Sequence, residues 1–555
     1  MASALGTKRV ELSISTPPVF FLNSQTRNHV RLWSRWCESP LSRGIVVFLE
    51  SEALESLAAA ALSSSAMAMD NKCEVVFIPH PSIGNLVPVV EFARNLTRHD
   101  PRFSATVFII TVHQRPIVNL YTQSLPNAAS RSDRIKFIHL PTVEHPTPDQ
   151  YQSSLGYLSL FIDKHKPHVK HAISHLISTT SVAALFVDMF TTSMIDVANQ
   201  LRIPCYFFFA SPASFLGFMF HLPELDKQLA VDFVESDSGL IVPKRSAVEL
   251  IVPSFAKPLP PNLLPTSVLK RNKDGYFWYL EHARRYSETR GIVVNTFLEL
   301  EPHAIGSLSF NGFPPVYPVG PILDHAGSAR WHTDGAKQDS IMKWLDDQPL
   351  SSVVFLCFGS MGSLEGSQLR EIAFGLERSG YHFLWSIRKP SNGKLDLPGE
   401  YTNVEAVLPS GFLDRTAGLG LVCGWVQQVK VLSHPAIGGF VSHCGWNSIL
   451  ESIWHGVPIA TWPVYAEQQM NAFELVKELG LGVEIRLDYR DGSDLVAADE
   501  FERALRHLMD DRDEVKAKVK EMKIKSRMAV LENGSSYKSL ESLIQEISSR
   551  TQGFK

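Results

Sequence analysis

The chain has little of what marks the special classes of protein. Its 555 residues include six cysteines (Cys37, Cys73, Cys205, Cys357, Cys423 and Cys444), far apart and without a CxxC pair. That excludes a disulfide-stapled scaffold and points to a reducing compartment. Neither sign of charge dominates: 53 Lys and Arg against 57 Asp and Glu leave a net charge of −4. Such a balance offers no basic face to a nucleic acid. Long apolar runs are missing as well. The most apolar stretch, residues 205–220, is interrupted by Ser211, Pro212 and Ser214, whereas a membrane helix needs about 20 apolar residues. It reads as a buried strand, loop and helix. There is no GxGxxG after a strand, no GxSxG elbow and no HExxH, so dehydrogenases, α/β-hydrolases and zincins find no support.

What is present is a globular composition, 45% hydrophobic and 20% charged, with length enough for large cores. Residues 1–66 are serine-rich and hold no sustained period of 2 or 3.6. Residues 1–70 are therefore set apart as a non-core extension: translated upstream sequence, a disordered tail or a plastid-targeting segment. From Cys73 the pattern is coherent. Residues 73–79, 103–111, 135–140, 183–187 and 205–209 are apolar, β-rich runs separated by helical or loop sequence. Strands buried on both faces and alternating with helices indicate a parallel sheet in a doubly wound α/β domain. A second series follows, with strands at 352–358, 382–387, 420–424 and 437–442 and helices at 368–379, 448–454 and 467–479. Between the two, the Gly/Pro-rich span 314–321 and the polar stretch 324–339 read as a linker. The expected division is a domain at 71–322, a linker at 323–338, and a domain at 339–555 that ends in a helix. Ligands of such sheets sit at the carboxyl ends of the strands, in the cleft between domains.

Residues 425–468 carry the chemistry. A strand ends at His443, turns through Gly445, and starts a helix near Trp446, Asn447 and Ser448. Unpaired backbone N–H groups and the helix dipole make an anion site there, and Asn447 and Ser448 add donors. A diphosphate fits. Glu451 is expected on the first turn, placed to accept from a ribose hydroxyl pair. Trp425 offers a flat face for a base, and Glu467 with Gln468 suits vicinal sugar hydroxyls. Together they describe a nucleotide-sugar site.

The same segment resembles the donor-binding signature of plant family 1 UDP-glycosyltransferases. Its 44-residue length and the positions of Trp425, Gln428, His443, Trp446, Asn447, Ser448, Glu451, Glu467 and Gln468 carry the resemblance. It extends over roughly residues 73–550 and includes FGSMGS at 358–363. It implies a GT-B fold, two Rossmann-like domains facing each other across a cleft, with the UDP-sugar on the second. By the resemblance Trp425 would stack on uracil, and Gln428 and Glu451 would hold ribose. His443, Asn447, Ser448 and Ser360 would contact the diphosphate, and Glu467 and Gln468 the sugar. Val426, Gly445 and Trp446 belong to the same donor-binding set. A signature ending in Gln implies UDP-glucose as donor co-substrate, without a cofactor or metal. The implied acceptors are phenylpropanoids, flavonoids and related small aglycones. The expected protein is a cytoplasmic monomer (plastidial if 1–66 is a transit segment), with no nucleic-acid partner and no integral membrane segment.

One departure stands out. In the family the N-terminal loop reads P-x-P-x-x-G-H, and its His is the general base, oriented by an Asp. Here the loop reads Pro79-His80-Pro81-Ser82-Ile83-Gly84-Asn85, and an amide cannot take a proton near neutral pH. The Asp matches Asp188. General-base catalysis contributes about 10²–10⁴-fold, so three readings stand. The acceptor is acidic enough to need no strong base; Asp188 or His80 substitutes; or the protein is an impaired binder of UDP-sugar or aglycone. Two weaker patterns read as solvated surface: His165, His168, His171 and His175 at helical spacing, and the DxD-like Asp511 and Asp513 in a charge run.

Overall fold

The computed structural model describes residues 73–551, except 113–115, 126–133, 237–238, 245–247, 310–311, 326–334, 392–397, 491–494 and 511. The expected extension, most of the expected linker, Cys37 and Asp511 lie outside the described residues.

Two parallel sheets organise the chain. The first contains β1 (Cys73–Ile78), β2 (Phe103–Ile109), β3 (Ile135–His139), β4 (Ser181–Asp188) and β5 (Cys205–Phe209). A separate antiparallel hairpin, β6 (Phe233–Glu235) and β7 (Ile241–Pro243), follows, and β8 (Ile292–Val294) and β9 (Val316–Pro318) complete the first sheet. The second holds β10 (Val353–Cys357), β11 (His382–Ser386), β12 (Gly420–Cys423), β13 (Ile437–Ser442), β14 (Ile459–Thr461) and β15 (Gly482–Glu484). Their orders are β3-β2-β1-β4-β5-β8-β9 and β12-β11-β10-β13-β14-β15. Each is the doubly wound order, and each reverses direction beside its first strand. The switch points fall between β1 and β4 and between β10 and β13, where such sheets open a crevice for ligand.

The strands form because nearly every residue in them finds a core. Val76 and Ile78 enter the core on one face of the first sheet, Val75 and Phe77 that on the other. Strand β10 splits in the same way, Val353 and Phe355 from Val354 and Leu356. The polar exception in β1, Glu74, is buried but accepts from the hydroxyls of Ser104 and Thr106.

Every expected strand forms, and Cys205–Phe209 and Ile437–Ser442 keep their expected bounds. Strands β8, β9, β14 and β15 have three residues each, too few to show a period. Strand β9 lies inside the span read as the start of the linker. The expected helix at 467–479 is Gln468–Phe473 continued by a π-helical turn, Glu474–Glu478. The last helix, Ser535–Thr551, leaves the second sheet and packs on the first, where Leu543, Ile544 and Ile547 join the core that contains Val75 and Phe77. The first half therefore takes in a helix placed by sequence in the second. Periodicity shows that a helix has an apolar face, not which core receives it.

His165 corrects the solvated-face reading. It precedes the helix Lys166–Ile177 and is buried, its Nδ1 2.9 Å from the Phe161 carbonyl, while His171 and His175 are exposed. Asp513 caps the helix Glu514–Ala529, accepting from the Val515 N–H at 2.7 Å. Among the described residues no three His, Cys, Asp or Glu side chains converge on a metal position. None of the described helices is long and apolar enough to cross a membrane.

Candidate active site

Both switch points carry expected site residues. In the second half, β13 delivers His443 and the chain turns sharply through Cys444, a non-glycine residue at φ 62°. That left-handed conformation costs about 1–3 kcal/mol and persists because neighbours fix it. Cys444 N–H donates to Ser442 Oγ at 3.2 Å, and its carbonyl accepts from Asn471 Nδ2 at 3.0 Å. Gly445 then caps the helix Trp446–His455, so its first N–H groups face the crevice.

The His443 imidazole is held between two glycines. A Cβ at Gly359, on the loop after β10, or at Gly445 would come within 2.4 or 2.6 Å of its Nε2. His443 is 6% exposed, its Nδ1 has no hydrogen-bond partner among the described residues, and burial pushes its pKa down to about 4. It therefore meets a ligand as a neutral ring. Ser360 is half-buried on the same loop after β10.

The helix begins two residues earlier than its periodicity suggested, which moves Glu451 to the second turn. Gln428 Nε2 donates to Ser448 Oγ at 2.8 Å and to Glu451 Oε2 at 2.6 Å, so these three residues form one polar cluster. Desolvation raises the Glu451 carboxyl to about 7, opposed by Gln428 and assisted by the negative charge of Asp324. The Trp425 ring is half-buried and packs against the first half's core. Val426 puts its side chain into the second core.

Other residues of the segment join the two halves. Trp446 is buried and its indole N–H donates to the Asn295 carbonyl at 2.7 Å. Trp462 is a core residue at 0% exposure. Asn447 Nδ2 donates to the Gly84 carbonyl at 2.9 Å, in the first-half loop that carries Asn85. Glu467 accepts from Ser211 Oγ at 3.0 Å, and burial raises its pKa. Gln468 Oε1 accepts from the N–H groups of Val464 and Tyr465, at 2.9 and 3.0 Å, and so holds the turn that presents Glu467.

In the first half, the loops after β1 and β4 meet. Asn85 Nδ2 donates to Asp188 Oδ1 at 3.4 Å, Ser82 Oγ donates to Asn85 Oδ1 at 2.7 Å, and His80 Nδ1 lies 3.1 Å from Ser82 Oγ. Asp188 is 1% exposed, and its Oδ2 has no hydrogen-bond partner among the described residues. Desolvation lifts its pKa to about 7 against the hydrogen bonds from Phe190 N–H and Asn85. Burial thus moves the titration of Asp188 from the acid range toward neutral pH. A cavity of about 600 Å³ elsewhere, between the Ile83–His99 and Ser535–Thr551 helices, is lined by none of these residues.

Sequence reading missed the first-half partners of the donor segment: Asn295, Ser211, and Glu301 with the second-half residue Glu474. Ser211 showed only as a break in an apolar run. Nothing in local pattern links Glu301 to a residue 173 positions away.

Two Rossmann-like halves, with an anion-ready helix start at the switch point of the second, define a GT-B glycosyltransferase. Residues 310–525 match the family model for UDP-glucoronosyl and UDP-glucosyl transferase. UDP-glycosyltransferase 43 of Pueraria montana var. lobata is 56% identical over 485 residues, which cover 86% of this chain and 99% of that one. A putative UDP-glucose flavonoid 3-O-glucosyltransferase 3 of Fragaria ananassa is 49% identical over 493 residues, with 86% and 100% covered. Among solved structures, Medicago truncatula UGT71G1 complexed with UDP-glucose has a TM-score of 0.78 at 45% identity, with 87% and 100% covered. The chain belongs to the plant UDP-glycosyltransferases, hexosyltransferases that take a UDP-sugar as co-substrate.

Proposed function

We propose that the chain transfers glucose from UDP-glucose, with inversion, to a hydroxyl or carboxyl group of a small phenolic, flavonoid or phenylpropanoid aglycone, as a cytoplasmic monomer. The names of the relatives support the donor and acceptor class. The donor-side observation that carries the reading is the cluster of Gln428, Ser448 and Glu451 beside the anion-ready start of the Trp446–His455 helix. In the reaction the acceptor oxygen bonds to the anomeric carbon, the bond from that carbon to UDP breaks, and the acceptor proton must be received elsewhere.

Asn85 orients the acceptor and Asp188 receives the proton. Between the two substitutes, geometry favours Asp188. It bonds directly to Asn85 and keeps a buried oxygen without a partner among the described residues, whereas His80 is separated from Asn85 by Ser82. A carboxylate with a pKa of about 7 is also a better-matched base than an ordinary aspartate. Acidic acceptors demand least of it.

The test is UDP release and mass-spectrometric product detection with acceptors of graded pKa, for the wild type and Asn85→His. The wild type is expected to glucosylate carboxylic acids and acidic phenols. Asn85→His should gain about 10²-fold on weakly acidic alcohols. No gain there would remove the missing-base account. UDP binding without turnover on any acceptor would leave an impaired binding protein instead.

A further inference from the structure

The two halves also share a pair of buried carboxyl groups. Glu301 comes from the first half, and Glu474 opens the π-helical turn that continues the Gln468–Phe473 helix; each is 2% exposed. Glu301 accepts from the N–H groups of Ser214 at 2.8 Å and Ala213 at 3.0 Å, at the start of the Ala213–Asp232 helix. Desolvation raises the Glu301 carboxyl, and the two backbone donors at the positive helix end oppose it by favouring its ionised form. Glu474 Oε2 accepts from Ser214 Oγ at 2.7 Å, and its carboxyl lies against that of Glu301. Two carboxylates cannot share that contact unless one holds a proton. With Glu301 satisfied by N–H donors, the proton resides on Glu474.

The elements so joined are those that form the site. Three residues before Ser214, Ser211 donates to Glu467. Seven residues before Glu474 along its helix stands Glu467 itself, followed by Gln468.

We propose that Glu474 is a positioning residue for glucosyl transfer: its protonated carboxyl donates to Glu301 and clamps the helix behind Glu467 against the 211–214 turn of the acceptor half. The clamp rests on the transferase reading given above. The charged groups facing Glu474 are Glu301 across the seam and Glu478 on its own helix; both raise its pKa after desolvation, the largest cause. Lys257 and His303 act on Glu478. Because its folded pKa is raised above the ordinary 4.5, the stability Glu474 contributes is complete below that value. It is lost as pH rises from there through the elevated pKa.

The experiment compares wild type, E474Q and E474A in full-length protein, by kcat/KM for UDP-glucose and by melting temperature, each across pH. A glutamine amide donates to Glu301 without titrating. E474A is expected to lose about tenfold or more in kcat/KM, since small misplacements of a reacting group are costly. E474Q should recover that loss and show a smaller fall in melting temperature than the wild type as pH rises above 4.5. If E474Q is as impaired as E474A, or declines with pH as the wild type does, the clamp is overturned. If the wild type turns over no acceptor, the transferase reading fails, and the melting curves still decide the clamp.

Discussion

The proposed mechanism turns on Asn85, and the residues around it determine what an amide can do there. Its Nδ2 is committed to Asp188 and its Oδ1 to Ser82, so Asn85 is held rather than loose. His443 shows the same economy of freedom in the second half. Its neutral ring fits only because Gly359, at φ 75°, and Gly445 lack side chains. Gly359→Ala should therefore destabilise the fold by about 1–2 kcal/mol from backbone strain alone. It should also weaken UDP binding, because the new methyl group must displace His443. Chemical unfolding and calorimetric titration with UDP would measure the two effects, and a variant matching the wild type in both would remove the glycine-sandwich account.

At the scale of elements, local pattern reached the long buried strands and stopped where packing decides. Strands β5 and β13 were legible to the residue because each is a compact, mostly apolar run shortly after a proline, Pro204 or Pro435. Strands β14 and β15 were not, since three residues carry no period. The site divides in the same way. The strand–turn–helix from β13 to Trp446 is written in 425–468 and could be read as an anion site. The commitments of individual side chains could not. Trp446 gives its N–H to Asn295, Asn447 gives its amide to Gly84, and Gln468 spends its carbonyl on the turn before it. These bonds join segments far apart in the chain, and pairings of that range leave no trace in local spacing.

For the whole molecule, the two sheets, with the last helix crossing back to the first, fall within residues 73–551, and 86% of the chain matches nearly the full length of the relatives. Every residue assigned to the candidate site lies within the described residues. A chain starting at Met69 should thus keep kcat and KM within about twofold of the full-length protein, on the precedent that changes remote from packed or catalytic features are near neutral. Steady-state assays of both forms with UDP-glucose and one phenolic acceptor would check this; a large loss would give residues 1–68 a part in the reaction.

The central claim is that Asp188 takes over the proton from an acceptor oriented by Asn85. Its most direct test is the pH dependence of kcat/KM for a weakly acidic phenol with wild type and Asp188→Asn. The wild-type value should rise as pH climbs through about 7, where the raised pKa of Asp188 gives way to the carboxylate. Glu451 titrates in the same range, so the variant is essential. Asp188→Asn should lose about 10²-fold and the rise with it. An Asp188→Asn protein that keeps both the wild-type rate and its pH profile would contradict the claim.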